Sequence, residues 1–219
     1  MREQTSESFL LSAILTISGG FQDAYTYNVR QHVFSNAQTG NVVLMSQHLI
    51  SGEWEKGVRY LFPILAFLIG VLIADQLERH FKSGARLHWR QTVMLGEAGI
   101  LFLVGFIPAE WNLLATMLVS FTCAMQVQSF RTVRGYSYAS TMCIGNLRAG
   151  TESLSAYLHK RKPAALRKAF HYYGIILLFA LGAGFGGILS LDIGIQAIWV
   201  SCALLLVACV LMNREFIGR

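Results

Sequence analysis

The sequence has 219 residues, of which 54% are hydrophobic and only 14% are charged. Soluble domains carry about 25% charged residues, so the composition excludes an ordinary soluble domain, and several apolar runs of about 20 residues indicate a polytopic helical membrane protein. The formal net charge of +6 is better explained by basic cytoplasmic loops than by nucleic-acid binding.

The apolar runs predict six membrane spans in chain order. The first run, from Phe9, is a span and not a cleaved signal peptide, because no small-residue cleavage site follows it. Two shorter helical patterns lie after spans one and four. The predicted spans are residues 8–28, 57–78, 90–108, 112–131, 165–188 and 192–212, and the two short helices are residues 39–50 and 144–158.

The distribution of basic residues predicts that both termini are cytoplasmic. Lysine and arginine dominate the loops after spans two and four and the C-terminal tail, and cytoplasmic loops of membrane proteins carry an excess of these residues. The opposite side carries Arg30, Glu53, Glu55, Lys56, Glu110 and Asp192. The basic side carries Arg79, Lys82, Arg86, Arg90, Arg131, Arg134, Arg148, Lys160, Arg161, Lys162, Arg167, Lys168, Arg214 and Arg219.

Three sequence matches in the same order indicate an internal duplication. They pair Gln22 with Gln126, Gly40-Asn41 with Gly145-Asn146, and the segment 67–74 with the segment 179–186. The predicted fold is therefore all-α, with two three-span repeats, residues 1–108 and 109–219, each with a short extra helix after its first span. An odd number of crossings separates the copies, so the repeats are expected to be inverted, as in many secondary transporters.

Small residues spaced four apart occur at matching positions of spans two and five. They are Gly70 and Ala74 in span two and Gly182 and Gly186 in span five. This spacing allows close helix approach. It could form a homodimer, or it could pack these spans within one chain.

The motif Gly20-Phe21-Gln22-Asp23-Ala24, followed about fifteen residues later by Thr39-Gly40-Asn41, resembles the YoaK-like family of small bacterial inner-membrane proteins (domain of unknown function 1275). The resemblance runs from about Phe9 to Met212. It implies a six-span protein of the bacterial inner membrane and no established activity. The second half departs from the family: Ala124-Met125-Gln126-Val127 replaces Gly-x-Gln-Asn, and Ile144-Gly145 replaces Thr-Gly.

Two carboxylates inside predicted spans are candidates for proton or ion coupling. A charge in a span costs roughly 2.5–3.5 kcal/mol on insertion scales and normally faces a partner or a water-filled cavity. Asp23 could bind a proton or a cation, or it could accept a hydrogen bond from Tyr27 or Asn28. Glu97 could pair with Arg131 or Arg134, or be protonated.

The repeated polar positions are candidates for solute binding. Gln22 and Gln126 could bind a polar solute or cross-link helices. Thr39, Gly40, Asn41, Gly145 and Asn146 open the two short helices, whose free N–H groups favour an anion or are simply capped. The ion-pair spacing of Arg148 and Glu152 fits a cytoplasmic surface segment for the second short helix.

No motif of a metal site or of a known enzyme class is present. The six histidines lack HxxxH or HExxH spacing, and no phosphate-binding loop or nucleophile motif occurs. The cysteines stand singly, as small buried residues do. We therefore expect no cofactor, no metal and no enzymatic activity.

The sequence hypothesis is a small secondary transporter or permease for a polar solute or ion, with a site between the repeats and coupling to protons through Asp23 as one option. The alternative is a non-transporting scaffold, regulator or lipid-binding protein whose basic loops contact anionic lipids. Membrane lipids and a second copy of the chain are the expected partners. A transporter needs a polar cavity that reaches the middle of the membrane, whereas a scaffold can be packed solid.

Overall fold

The structure, a computed structural model, describes residues 8–81, 89–133, 136–138 and 140–217, and this part of the chain is almost entirely α-helical. The all-α class is therefore confirmed. Strands β1 (Thr132–Val133) and β2 (Tyr136–Ser137) form a small antiparallel hairpin. The helices are α1 (Phe9–Val29), α2 (Gln38–Ile50), α3 (Trp54–Phe81), α4 (Trp89–Val104), α5 (Asn112–Ser129), α6 (Cys143–Lys160), α7 (Pro163–Ile193) and α8 (Trp199–Ile217).

Among the described residues, two helical stretches, Trp54–Phe81 and Pro163–Met212, are long and apolar enough to cross a membrane. The other long helices are shorter or less apolar: α4 has 16 residues, and glutamines interrupt α1 and α5. Six crossings and the orientation of the termini stay predictions. Four basic residues behind the orientation prediction lie outside the described residues: Lys82, Arg86, Arg134 and Arg219.

Local chemistry explains where several helices begin and end. The Ser8 hydroxyl accepts a hydrogen bond from the Leu11 N–H (3.2 Å) and caps α1. Gln31 and His32 adopt positive φ values of 65° and 58° just after α1 ends, so the chain turns back toward the bundle. Pro163 is the first residue of α7, where its missing N–H costs nothing.

The helices pack in pairs that relate the two halves of the chain. Helix α1 packs on α7, α3 on α5 and α4 on α8, while α2 lies along α3 and α6 along α7. If each helix is swapped with its counterpart in the other half (α1 with α5, α2 with α6, α3 with α7 and α4 with α8), the same set of pairs results. A duplicated chain would have such a pairing, although inversion of the halves stays a prediction. The apolar core lies mainly between α1, α4, α5 and α8.

Glycines bring the backbones of these pairs into close contact. A Cβ atom on Gly70 would lie 2.4 Å from the Phe121 carbonyl oxygen, and one on Gly182 would lie 2.2 Å from the Ile17 carbonyl oxygen. A Cβ atom on Gly186 would likewise lie 2.7 Å from the Phe21 Cα atom. The small residues of spans two and five therefore pack within one chain, against α5 and α1. This is the second of the two alternatives for these faces, and a homodimer stays a prediction.

The segments that precede α2 and α6 both return to the middle of α1. The Asn36 side-chain amide donates to the carbonyl oxygen of Gly19 (3.2 Å), halfway along α1. On the same level, a Cβ atom on Gly19 would lie 2.6 Å from the Thr141 methyl group. The segments that lead into both short helices are thus packed against α1, whereas the first turns themselves include exposed residues such as Thr39 and Gly145.

Candidate functional site

A cavity of about 790 Å³ lies where α2 and α6 begin. This volume is within the range of small-molecule sites, about 300–1,000 Å³. The first turns of both short helices line it, and α1, α3 and α7 complete the wall. The lining residues are Asp23, Ala24, Tyr27, Asn28, Phe34, Asn36, Ala37, Gln38, Thr39, Phe67, Thr141, Met142, Cys143, Ile144, Gly145, Phe179, Ala183 and Gly187.

Most of the cavity wall is apolar, with aromatic rings at several points. Phe67 of α3 and Phe179 of α7 occupy matching positions of the two sequence repeats, and both line the cavity. The rings of Tyr27 and Phe34 stack with centroids 4.8 Å apart. An apolar wall with a few placed polar groups is typical of sites that bind small organic molecules.

Asp23 connects α1 to the start of α2. Its Oδ1 atom accepts hydrogen bonds from the Ser35 hydroxyl (3.1 Å) and the Asn36 N–H (2.7 Å), and the residue is only 6% exposed. Its hydrogen-bond partners are therefore not Tyr27 or Asn28, the two considered from the sequence. A carboxylate beside a helix N-terminus is stabilised by the helix dipole, so Asp23 stabilises the position of α2 while lining the cavity.

Gln22 and Glu97 form a separate, fully buried polar cluster. The Gln22 amide donates to Ser18 Oγ (3.0 Å) and Glu97 Oε1 (3.4 Å), and the Cys123 thiol donates to Gln22 Oε1 (2.7 Å). Glu97 Oε2 has no hydrogen-bond partner within the described part of the chain. Neither Gln22 nor Glu97 lines the cavity.

The predicted pairing of Glu97 with Arg131 is wrong. Arg131 instead pairs with Glu78, at 2.8 Å. The other candidate, Arg134, lies outside the described residues. Glu97 is a buried carboxyl group that, among the described residues, accepts a hydrogen bond from the Gln22 amide and not from a cation.

The other predicted polar residues hold segments in place. Gln126 donates to the Leu15 carbonyl oxygen (3.3 Å) and to Ser140 Oγ (3.1 Å), so it fixes the segment before α6. The Asn41 side chain accepts from the Phe34 N–H (3.0 Å) and donates to the Phe34 carbonyl (2.7 Å).

The remaining predicted residues at the starts of α2 and α6 either line the cavity or are packed inside the protein. Gly40 packs under the Phe34 ring, and Asn146 is buried. Thr39 and Gly145 line the cavity. Arg148 and Glu152 form an exposed ion pair (2.8 Å) further along α6.

The structure thus brings together three of the nine predicted site residues, Asp23, Thr39 and Gly145. Sequence reasoning missed Asn36 and Thr141, which line the same cavity. A signal was available, because Ser35-Asn36 and Ser140-Thr141 match at the offset of the Gly-Asn pairs, five residues upstream.

Arg30 was also missed, because the sequence places it in a loop on the outer side. The residue is completely buried. Its guanidinium donates to the carbonyl oxygens of Val104 (2.9 Å) and Ile107 (2.8 Å), and to Asn112 Oδ1 and the Tyr25 hydroxyl (both 2.9 Å). The charge therefore lies at the C-terminal end of α4, the negative end of its dipole.

Comparison with known proteins places these features in a family. The family described as "Protein of unknown function (DUF1275)" matches residues 11–211. One curated relative, the "UPF0700 transmembrane protein YoaK" of Bacillus subtilis (strain 168), is 24% identical over 207 residues, which cover 89% of each chain. No solved structure matches the chain.

Proposed function

The chain belongs to the DUF1275 family of proteins of unknown function and is a membrane protein, and from this premise we propose that it is a small secondary transporter or permease. It would be a multi-pass protein of the bacterial inner membrane with both termini cytoplasmic. Its two halves would form inverted repeats around a site for a small polar or amphipathic solute.

The observation that carries the proposal is that α2 and α6 both begin at one cavity, beside the middle of α1. Secondary transporters place their solute sites near the midplane, at the ends of interrupted helices and between repeats. Two features support a site at the repeat interface. The helix pairs are the same when the two halves are swapped, and Phe67 and Phe179, which occupy matching positions of the repeats, both line the cavity. A solidly packed scaffold has no use for such a cavity.

Asp23 is the proposed proton-coupling residue. As a carboxylate it accepts the hydrogen bonds of Ser35 and Asn36 at the start of α2. Protonation would remove a negative charge from the positive end of the α2 dipole and weaken these charge-assisted bonds. A proton on Asp23 and a solute in the cavity would therefore act on the same segment.

We expect an imposed proton gradient to accelerate solute uptake into proteoliposomes with the wild-type protein but not with Asp23→Asn. Glu97→Gln removes the second buried carboxylate and tests whether coupling uses that cluster. Uptake that responds equally to the gradient in wild type and Asp23→Asn would remove Asp23 from the coupling step.

The native cysteine in the cavity tests whether the site alternates between two sides. Cys143 lines the cavity, whereas Cys123 is buried. With Cys209 replaced by serine, a small water-soluble thiol reagent is added to vesicles of each orientation, and the labelled peptides are identified by mass spectrometry. Cys123 serves as the unreactive control.

A transporter predicts that Cys143 reacts from both sides of the membrane. Reaction from neither side would favour the scaffold or lipid-binding alternative. Reaction from one side only would indicate a static crevice and would also contradict alternating access.

A further inference from the structure

We propose that the α6 end of the cavity binds the carboxylate group of a small organic solute that has an apolar body and an O–H or N–H donor. This inference deepens the proposed transport function, since it assigns a solute class to the same cavity. Three features carry it: the unequal electrostatics of the two helix starts, two side-chain oxygens without hydrogen-bond partners, and the aromatic wall.

The two helix N-termini at the cavity differ in charge compensation. The start of α2 has the Asp23 carboxylate beside it. In the repeat alignment the position of Asp23 corresponds to Val127, and Met142 provides no side-chain cap to α6. The 18-residue α6 therefore directs the positive end of its dipole, and the free N–H groups of its first turn, toward the cavity. Such an end favours an anionic group.

Two residues of the cavity wall each carry one side-chain oxygen without a hydrogen-bond partner. Thr141 and Asn36 are each 7% exposed, and both line the cavity. Thr141 Oγ1 and Asn36 Oδ1 have no hydrogen-bond partner within the described ranges. Buried polar groups are normally hydrogen-bonded, so a ligand is a natural partner for both. The hydroxyl of Thr141, beside the start of α6, can donate to a carboxylate, and Asn36 Oδ1 can accept from a donor on the solute.

The lining of the rest of the cavity favours a solute with an apolar part of some size. Phe34, Phe67 and Phe179 make the wall aromatic, and about 790 Å³ is far more than a bare inorganic ion needs. Two hydrogen bonds to Oδ1 and the positive end of the α2 dipole partly offset the charge of Asp23, and the benzylamine probe below tests whether that charge still attracts an organic cation. An amphipathic carboxylate satisfies both the polar end and the apolar wall, whether it comes from water or from the membrane.

Gly145 allows a matched test of the charge requirement. It lines the cavity in the first turn of α6, and a Cβ atom there would meet no heavy atom within 4 Å. Gly145→Asp adds a permanent carboxylate at the helix start, and Gly145→Asn adds a side chain of the same shape without charge. A second pair is Thr141→Val, which removes the cavity hydroxyl at the start of α6, and Thr151→Val, which removes an exposed hydroxyl further along α6 that does not line the cavity.

The experiment measures ligand-induced thermal stabilisation of the purified full-length protein. The probes are sodium benzoate, sodium decanoate, benzylamine hydrochloride and sodium chloride at equal ionic strength. We expect a carboxylate probe, but not benzylamine or chloride, to stabilise wild type and Thr151→Val. Gly145→Asp should need at least tenfold more carboxylate than Gly145→Asn for the same shift, and Thr141→Val at least tenfold more than Thr151→Val. A stronger response to decanoate than to benzoate would indicate a membrane-borne solute, and the reverse a water-borne one.

Stabilisation by benzylamine equal to that by benzoate, or equal carboxylate binding by Gly145→Asp and Gly145→Asn, would overturn the inference. Thr141→Val decides the question if Gly145→Asp does not fold, because valine retains the methyl group that faces Gly19. Carboxylate binding with no two-sided labelling of Cys143 would refute transport and leave the site standing. Labelling of Cys143 from both sides without carboxylate selectivity would support transport and refute the carboxylate site.

Discussion

Arg30 is the largest fully buried side chain in the described part of the protein. A buried cation is costly unless its hydrogen bonds are satisfied. Here the carbonyl oxygens at the end of α4, an amide and a phenol accept from it. Arg30 thereby joins the end of α1 to the end of α4 and to the start of α5, which is a structural role, and it does not line the cavity.

Arg30→Met should destabilise the protein by about 3 kcal/mol, because it leaves the carbonyl oxygens of Val104 and Ile107 without their donor. The measurement is the melting temperature of the purified protein. Arg79→Met is the control: the Arg79 side chain is 74% exposed and makes an i,i+4 ion pair with Asp75, which contributes only about 0.3–0.5 kcal/mol. Equal melting temperatures for the two variants would contradict this role for Arg30.

At the scale of elements, the close approach of α7 to α1 and of α3 to α5 sets the frame around the cavity. In both pairs a glycine lies against a carbonyl oxygen of the partner helix. Because no side chain lies between them, the two backbones come close enough for dispersion and polar contacts between the helices. The segments before α2 and α6 are then held against α1 by Asp23 and Gln126.

Gly182→Ala should destabilise the protein by about 1–3 kcal/mol, as overpacking does, because the new methyl group would overlap the Ile17 carbonyl oxygen and push α7 away from α1. Gly184→Ala, in the same helix, meets no atom within 4 Å of its Cβ position. It should be neutral or stabilise by up to about 1 kcal/mol through helix propensity. Thermal unfolding of the two variants side by side tests the contact, and a loss of stability in both would refute it.

At the scale of the whole molecule, the orientation in the membrane follows from charge. The loop between α2 and α3 should face outward, and the loop between α6 and α7, which contains Lys160, Arg161 and Lys162, should be cytoplasmic. Six crossings require that these two loops lie on opposite sides.

Single cysteines at Glu53 and Lys160, both exposed, test this topology in a background where the native cysteines are replaced. We expect Glu53→Cys to react with a membrane-impermeant reagent in intact cells, and Lys160→Cys to react only after the inner membrane is opened. Labelling of both positions from the same side would exclude the six-span inverted arrangement.

The sequence by itself determined the helical class and the approximate positions of the helices α1 to α8 found in the described residues, because apolar runs, Pro163 and the polar turns act locally. It also indicated Gly70 and Gly182 as positions of close helix packing, but not their partners, which are α5 and α1. It could not determine which polar residues share a cavity. Gln22 and Asp23 are neighbours on α1 but have different partners: Gln22 contacts Glu97, whereas Asp23 is hydrogen-bonded to the segment before α2.

Only the tertiary structure decided that the segments before α2 and α6 return to the middle of α1. Their positions depend on contacts between residues far apart in sequence, such as Gln126 with Leu15 and Asn36 with Gly19. For the same reason Arg30, which looks like a loop charge, is buried against the end of α4. Local sequence encodes a helix through its periodicity, whereas a cavity depends on how separate helices approach one another, and that is decided by the packing of the whole chain.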